Sequence, residues 1–225
     1  DNYQCKCLFS FVNLSKMAKC FVMKDIRSDN LVKLNIDNSL WDQVFTVAPL
    51  IVVGTKEGAN YDLAPKHMAT PLGQSNSFAF VCTPNHSTYH NVKKTSEFSV
   101  SFPIPDKVVL ASLSASPRCE DLTNKKSIVE VLPTEKCESI DSIFFKDSYL
   151  FLECKLVKII DGFDNYSIIT GKIKEAFVNK DYIKVYDKEE YTQIYNNPLL
   201  AYIAYGRFAK INETFSFPFP KGFKK

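Results

Sequence analysis

The stretch GANYDLAPKHMATPLGQSNSFAFVCTPNHSTYHNVKKTSEF, from Gly58 to Phe98, decides how this chain is interpreted. It joins a polar turn, an Ala-Pro step followed by basic residues, an apolar strand, and a hydroxyl-rich loop that opens a short helix. A helix N-terminus carries unpaired N–H groups and a partial positive charge, so it suits a phosphate. This order of parts therefore predicts a segment that can hold a flat polar ring at one end and a phosphate at the other.

The predicted ring end is the turn Ala64-Pro65-Lys66-His67-Met68. Pro65 lacks an N–H and has a fixed φ, which leaves the neighbouring amides free to point outward. Lys66 or His67 beside the ring would stabilise negative charge on it. The alternative is an ordinary surface turn with two incidental basic residues. The local sequence does not decide between these two interpretations.

The predicted phosphate end is the loop from Thr83 to Thr88, with His86 as a possible cation. We expect Ser87 or Thr88 to cap a helix that runs to about Thr95, with Asn91 facing outward. The alternative is a plain capping turn whose hydroxyls satisfy the helix and bind nothing.

The rest of the chain consists mostly of short runs rich in β-branched and aromatic residues, which predict strands. These runs cover 50–55, 77–83, 98–102, 127–132, 149–160, 166–178 and 199–206. Residues 161–165 separate two long runs, so 149–178 is predicted to form a β-hairpin with a wide loop. Helical signals are few and lie near 87–95, 105–115 and 188–195. The pattern predicts a mainly β protein, with one antiparallel barrel and a few short peripheral helices.

Composition narrows the class of protein further. The net charge is only +3, which argues against nucleic acid as a partner. The seven cysteines are odd in number and form no CxxC pair, which favours a reducing cytoplasm. No apolar run approaches the length of a membrane span. The three His and these Cys lack the spacing of a metal site, so we expect no metal.

We expect residues 1–20 to be an N-terminal extension and residues 21–225 to form a single domain, because no linker divides the later part of the chain. The sequence contains no GxSxG elbow, Walker loop, GxGxxG or HExxH motif. Hydrolase, P-loop and Rossmann chemistry are therefore not expected.

Taken together, these parts resemble the flavin reductase-like family of FMN-binding split barrels over about residues 45–208. Four features carry the resemblance, in the family's order: GANYDLAP, FAFVCTPNHSTYHNV, KKTSEFSVSF, and the hairpin YLFLECKLVKIIDGFDNYSIITGKI followed by PLLAYIAYGRF. Each motif is loose, and their shared order and spacing make the resemblance specific.

The resemblance implies a homodimer with FMN at the subunit interface. It implies a flavin ring bordered by Asn60, Asp62, Ala64, Pro65, Lys66, His67 and Met68. It implies a ribityl chain and phosphate surrounded by Thr83, His86, Ser87, Thr88 and Asn91. Arg118, Lys125 or Lys126 would reach the phosphate, also from the partner subunit, and Tyr205 and Phe208 would close the ring pocket.

The sequence departs from the family at two positions. Asp62 stands where the family has Asn, unless Asn60 takes that role. A carboxylate beside the flavin would disfavour its reduced anion. In the hairpin, Asp164-Asn165 replaces the family's Asp-His, whose imidazole lies near the nicotinamide. The second departure argues against turnover with NADH or NADPH more strongly than it argues against FMN binding.

Three functions are consistent with this sequence. The first is a flavin oxidoreductase in which hydride passes from transiently bound NADH or NADPH to flavin N5, with no obligatory acid or base from the protein. The second is a non-enzymatic FMN electron carrier that docks a redox partner protein, or a flavin store. The third is a split barrel that has lost FMN and serves as an interaction module. The first is the expectation taken forward.

Overall fold

The computed structural model describes residues 31–118, 126–184 and 190–222. The chain divides into two compact units, the first ending at Gln43 and the second beginning at Val44. In the described part of the first unit, the 3₁₀ helix Leu40–Asp42 buries no side chain. The predicted boundary between an extension (1–20) and a domain (21–225) lies outside the described residues and stays a prediction.

The second unit is mainly β. Its strands are β1 Val47–Pro49, β2 Ile51–Glu57, β3 Asn60–Lys66, β4 Ala69–Pro71, β5 Ser77–Cys82, β6 Glu97–Pro103, β7 Thr134–Lys136, β8 Ile143–Phe145, β9 Ser148–Phe163, β10 Tyr166–Val178, β11 Leu199–Ile203 and β12 Arg207–Ile211. Its α-helices are α1 Ser87–Thr95, α2 Val108–Leu113 and α3 Glu190–Asn196. Three 3₁₀ helices cover Pro105–Lys107, Ser127–Glu130 and Lys180–Tyr182.

Seven strands form one antiparallel sheet in the order β3-β2-β6-β9-β10-β5-β4. A second sheet has the order β1-β11-β12, and β7 pairs with β8. The predicted antiparallel, mainly β architecture with short helices is confirmed. Because β3 ends the order of the large sheet, one of its edges is not covered by a strand, and this edge matters for the site.

The large sheet buries a core on each face, because side chains alternate along a strand. On β2, Ile51 and Val53 join an inner cluster with Phe80, Phe98 and other apolar residues, whereas Val52 joins an outer cluster. Helix α1 contributes Tyr89 and Val92 to the inner cluster. It therefore closes one end of the inner core.

The outer face is covered by the segment that runs from Lys126 to Asp147. Ser99 Oγ donates to Ile143 O at 2.5 Å, and Ser101 Oγ accepts from Phe145 N at 3.0 Å. The carboxylate of Glu153, which is fully buried, accepts from the backbone N–H of Ser139 at 2.7 Å. This covering segment is therefore attached to the sheet by polar as well as apolar contacts.

Two local predictions are wrong. Residues 127–132 were expected to be a strand, but Ser127–Glu130 is a 3₁₀ helix. The buried positions Val129 and Leu132 are three apart, so both pack on the outer cluster only if the chain is helical there. The wide hairpin loop is also absent, because β9 extends to Phe163 and only Asp164 and Asn165 separate it from β10.

We expect the described cysteines to resist alkylation in the native protein. Burial raises the pKa of Cys137 and of Cys154 to about 12, and burial also raises the pKa of Cys82. Only the thiolate is nucleophilic, so all three react slowly at pH 8. Iodoacetamide labelling followed by peptide mass spectrometry should find them unmodified in buffer and modified in guanidinium chloride. Rapid native labelling of Cys154 would contradict this expectation.

Candidate functional site

A cavity of about 480 Å³ lies between β3, the N-terminus of α1 and the loop that follows α2. We call it the first cavity. Its walls are formed by Asp62, Ala64, Pro65, Lys66, Asn85, His86, Ser87, Thr88, Ser114, Ala115, Ser116, Pro117, Arg118 and Lys126. Its size falls within the roughly 300–1,000 Å³ that is usual for small-molecule sites.

The uncovered edge of β3 contributes backbone groups to this region. Leu63 O accepts a hydrogen bond from Lys126 Nζ at 2.6 Å, which shows that Leu63 directs its backbone away from β2. Backbone direction alternates along a strand, so Pro65 faces the same outer edge, where its missing N–H costs no sheet hydrogen bond. This edge is available to polar atoms of a ring.

The N-terminus of α1 contributes donors. His86 is the N-cap residue, and no side chain caps the helix. The amides of Ser87 and Thr88, in the first turn, have no intrahelical acceptor. Their hydroxyls make no hydrogen bond to any residue that the structure describes, although Thr88 is only 1% exposed. A hydroxyl in a cavity wall that has no partner in the protein is available to a ligand oxygen.

The prediction that Ser87 or Thr88 caps α1 is therefore wrong in its detail, because the cap position belongs to His86. The helix itself spans Ser87–Thr95 and confirms the predicted C-terminal end. Neither hydroxyl caps the helix, and their role in binding a phosphate stays a prediction.

The walls carry an excess of positive charge. Lys66, Arg118 and Lys126 line the first cavity together with the single carboxylate Asp62. Asp62 Oδ1 lies 3.2 Å from Lys126 Nζ and 3.4 Å from Arg118 Nη2. Both contacts are ion pairs, and Asp62 Oδ1 accepts no hydrogen bond from either cation. Because Asp62 is neutralised from two sides, it opposes an anionic ligand much less than an isolated carboxylate would.

Burial changes the pKa values of basic groups in the cavity walls. Burial lowers the pKa of Lys66, although the nearby Cys82 and Asp62 raise it. Burial, and then the charges of Lys66 and Lys126, lower the pKa of His86 below its usual value. This shift favours the neutral imidazole, and a cationic role for His86 stays a prediction.

The structure brings together seven of the residues predicted from sequence: Asp62, Ala64, Pro65, Lys66, His86, Ser87 and Thr88. Arg118 and Lys126 also lie here, in the same chain, whereas Lys125 lies outside the described residues. Asn85 lies in the predicted loop from Thr83 to Thr88, although no contact was assigned to it. Sequence reasoning missed the wall Ser114–Pro117, whose Ser-Ala-Ser-Pro run carries no recognisable binding pattern.

Three predicted residues lie away from this cavity. Asn60 lines a neighbouring cavity, beside the turn between β2 and β3. Thr83 Oγ1 accepts from Asn85 N at 3.3 Å, so it shapes the loop. The Asn91 amide donates to Thr55 Oγ1 at 3.0 Å, so it faces β2 and the expectation that it points outward is wrong.

His67 and Met68 also lie outside the walls of the first cavity. The His67 ring packs on Tyr202 at a centroid distance of 4.6 Å, and Tyr205 lies edge-on at 6.5 Å. His67 Nε2 is buried without a hydrogen-bond partner. Burial, and then the charge of Lys66, lower the pKa of His67. Phe208 is 54% exposed, on β12.

The described residues contain no group of three His, Cys, Asp or Glu side chains that could hold a metal ion. Among the described helices, none has the length and apolarity needed to cross a membrane.

Comparison with known proteins gives a consistent result. The family model for the flavin reductase like domain matches residues 45–195. No curated protein matches the chain. A flavoredoxin from Methanosarcina acetivorans has a TM-score of 0.66 and 15% identity, over 85% of this chain and 97% of its own. A putative flavin reductase with a split barrel domain from Shewanella frigidimarina has a TM-score of 0.67 and 15% identity, over 77% and 87%.

The NADH:FAD oxidoreductase of Streptomyces globisporus has a TM-score of 0.59 and 12% identity, over 74% of this chain and 87% of its own. At these identities the structures show the fold alone. The predicted split barrel is confirmed.

Proposed function

The chain belongs to the family of flavin reductase-like domains, and on that basis we propose that it binds FMN in the first cavity and passes hydride from NADH or NADPH to the flavin. Family membership supports a flavin; the choice of FMN and of a nicotinamide donor is our proposal. The observation that carries it is the pair of unpartnered hydroxyls, Ser87 and Thr88, at the N-terminus of α1.

The residues present fit a flavin nucleotide. The first-turn amides of α1, the hydroxyls of Ser87 and Thr88, and the Lys66 ammonium would hold a phosphate. The uncovered edge of β3 at Pro65 would face the polar edge of the ring.

When bound, the flavin supplies the hydride-accepting chemistry itself. The protein's residues hold and orient it. Arg118 and Lys126 neutralise Asp62 and so limit the penalty that this carboxylate imposes on negative charge. Apolar packing beneath β3 and α1 excludes water from one side of the cavity. No side chain has to move a proton for hydride transfer.

The purified protein tests this proposal. We expect a yellow protein that releases FMN on denaturation, and anaerobic NADH or NADPH should bleach its flavin absorbance. Colourless protein that takes up no added FMN would reject the binding proposal. Yellow protein that neither nicotinamide bleaches would reject the reductase and leave the binding proposal standing.

That last outcome would favour a non-enzymatic electron carrier, our second candidate. A specific observation supports it: the tip of the β9–β10 hairpin is Asp164-Asn165, and the three histidines of the chain lie elsewhere, at 67, 86 and 90. The hairpin therefore offers no imidazole to a nicotinamide. Reduction by dithionite without reduction by NADH would identify the carrier.

We also propose a homodimer with the flavin at its interface. Phe45, Val47 and Phe208 are each more than half exposed. Covering such side chains is favourable at about 25 cal/mol per Å² of apolar area. Light scattering after size exclusion should give twice the chain mass, and a monomer would reject this part. A cytoplasmic location stays a prediction.

FMN affinity should decrease at high pH through Lys66. Burial lowers its pKa from the usual 10.5, so Lys66 loses its charge at a lower pH than an ordinary lysine does. Affinity for the phosphate is full below the lowered pKa and falls as pH rises through it. Fluorescence titration of FMN from pH 7 to 10 should show this loss. The Lys66→Met protein should bind more weakly at pH 7 and lack the early loss; a parallel curve for both proteins would contradict the assignment.

A further inference from the structure

A small cavity of about 200 Å³ lies on the outer face of the large sheet. None of its lining residues lines the first cavity, and the proposed flavin chemistry does not use it. We call it the phenylalanine cavity. It is smaller than the roughly 300–1,000 Å³ of a usual ligand site, so it suits a small head group rather than a nucleotide. Its walls are formed by Glu135, Lys136, Glu138, Phe144, Phe151 and Phe177.

Three phenylalanine rings from three strands meet in this cavity. Phe151 on β9 and Phe177 on β10 are direct partners in the sheet, and Phe144 on β8 packs against both. The centroid of the Phe144 ring lies 5.1 Å from that of Phe151, at 63°, and 6.4 Å from that of Phe177, at 75°. Rings that are inclined so steeply form a corner and not a flat layer. Phe144 is buried, whereas Phe151 and Phe177 are half-buried and form the sides of the cavity.

The pairing of β7 with β8 directs a carboxylate to the side of the rings. Glu135 lies directly opposite Phe144, and opposite residues project to the same side of a ladder. Lys136 lies opposite Ile143, so its side chain leaves the strand on the other side. The Lys136 Nζ lies 5.9 Å from the centroid of the Tyr61 ring. This ammonium is therefore held toward Tyr61 and opposes a cation in the cavity only weakly.

A second carboxylate, that of Glu138, is held close to the rings. The Glu138 N–H donates to Oε1 of the buried Glu153 at 2.7 Å, and Glu153 is two residues from Phe151 on β9. The Glu138 carboxylate has no hydrogen bond or ion pair with any residue that the structure describes. Glu135 pairs with Lys146 at 3.7 Å, but both side chains are exposed and such pairs are weak. The rim of the cavity is therefore negatively charged.

We propose that the phenylalanine cavity binds a small quaternary ammonium ion. The face of an aromatic ring is electron-rich and attracts a cation that lies within about 6 Å of its centroid. A quaternary ammonium ion has no N–H group that burial would leave without a hydrogen bond, so its methyl groups can contact the rings directly. The carboxylates of Glu135 and Glu138 add attraction at the rim. This inference does not depend on the flavin site.

Choline and 3,3-dimethylbutan-1-ol are matched probes, because the alcohol has the same shape and no charge. We expect the purified protein to bind choline about tenfold or more tightly than the alcohol at constant ionic strength. Contact with the ring faces should also shift the choline methyl protons upfield in NMR spectra, and a titration of this shift gives the dissociation constant. Phosphocholine, which carries the same group as a lipid head group does, should bind more weakly than choline because its phosphate meets the carboxylates.

Two variants test whether choline binds in this cavity. Phe177→Leu keeps an apolar side chain but removes a ring, and it should raise the choline dissociation constant about fivefold or more. Glu138→Gln should raise it about threefold or more and leave the affinity for the alcohol unchanged. Phe163→Leu is the control, because Phe163 is half exposed on the same hairpin and does not line the cavity. Thermal melts within a few degrees of the parent show that each variant is folded.

Four results would overturn the inference: no binding of choline, equal affinity for choline and the alcohol, tighter binding of phosphocholine than of choline, or an unchanged choline affinity in Phe177→Leu or in Glu138→Gln. If Phe177→Leu does not fold, Glu138→Gln decides, because the exposed Glu138 side chain has no partner among the described residues. None of these results changes the test for FMN, which is measured separately from the flavin absorbance.

Discussion

Gly54→Ala should destabilise the fold by about 3 kcal/mol or more, the largest effect that we expect from a single methyl group. A Cβ at Gly54 would lie 2.0 Å from Ile143 O and 2.4 Å from Ser99 Oγ. Ile143 O already accepts the hydrogen bond of Ser99, so both atoms would have to move. The covering segment would separate from the sheet at β8.

Thermal unfolding followed by circular dichroism measures this effect. For a chain of this size, about 3 kcal/mol corresponds to a decrease in Tm of about 6–12 °C. Gly73→Asn is the control, because Gly73 has open space around it and a φ of +61° that Asn adopts readily. An unchanged Tm for Gly54→Ala would mean that β2 and β8 are not in close contact in solution.

Gly171 provides an informative contrast. Its added Cβ would lie 2.4 Å from Phe98 Cζ, a side-chain atom. Phe98→Leu should therefore recover part of the stability lost in Gly171→Ala, because it opens space in the inner core. No such rescue is expected at Gly54, where the obstacle is backbone.

The double change Ser87→Ala, Thr88→Ala should weaken FMN binding by about 1–3 kcal/mol, because a phosphate would lose two hydroxyl donors. This corresponds to a dissociation constant about 5- to 150-fold higher. Folding should be almost unaffected, since neither hydroxyl has a partner among the described residues. Quenching of flavin fluorescence gives the dissociation constant, and circular dichroism gives the stability.

A swapped variant, Ser87→Thr with Thr88→Ser, is the matched control. It keeps both hydroxyls and should retain most of the affinity. If the double alanine variant binds FMN as the parent does, the phosphate does not lie at the N-terminus of α1. If only the stability falls, the hydroxyls stabilise the helix and do not bind the phosphate, which is the plain capping alternative.

The strands were predictable because β-branched and aromatic runs are strong local signals, and the hairpin of β9 and β10 shows this best. The loop at 161–165 was not, since Asp161 pairs with Tyr89 OH at 3.2 Å and Ser167 Oγ at 2.6 Å, contacts that favour strand over loop. The strand predicted at 127–132 was wrong for the same reason. The 3₁₀ helix Ser127–Glu130 depends on packing against a sheet that is distant in sequence.

Some residues of the candidate site were also predictable from the sequence, and others were not. The parts that lie close together in sequence, at 62–66 and 86–88, were predictable from Pro, hydroxyl and basic residues. The wall Ser114–Pro117 was not, because its role depends on where α2 places it. The outward direction predicted for Asn91 was wrong, because the local sequence does not show that Thr55 Oγ1 lies 3.0 Å from the Asn91 amide.

The covering segment also makes the site depend on local unfolding. Lys126 begins this segment, and its contacts with Leu63 O and Asp62 are part of the wall of the first cavity. Residues 137–145 are attached through Ser99, Ser101 and Glu153. A unit attached in this way can open without global unfolding. Exchange of the Phe145 and Ser139 amide hydrogens would measure how often this segment opens.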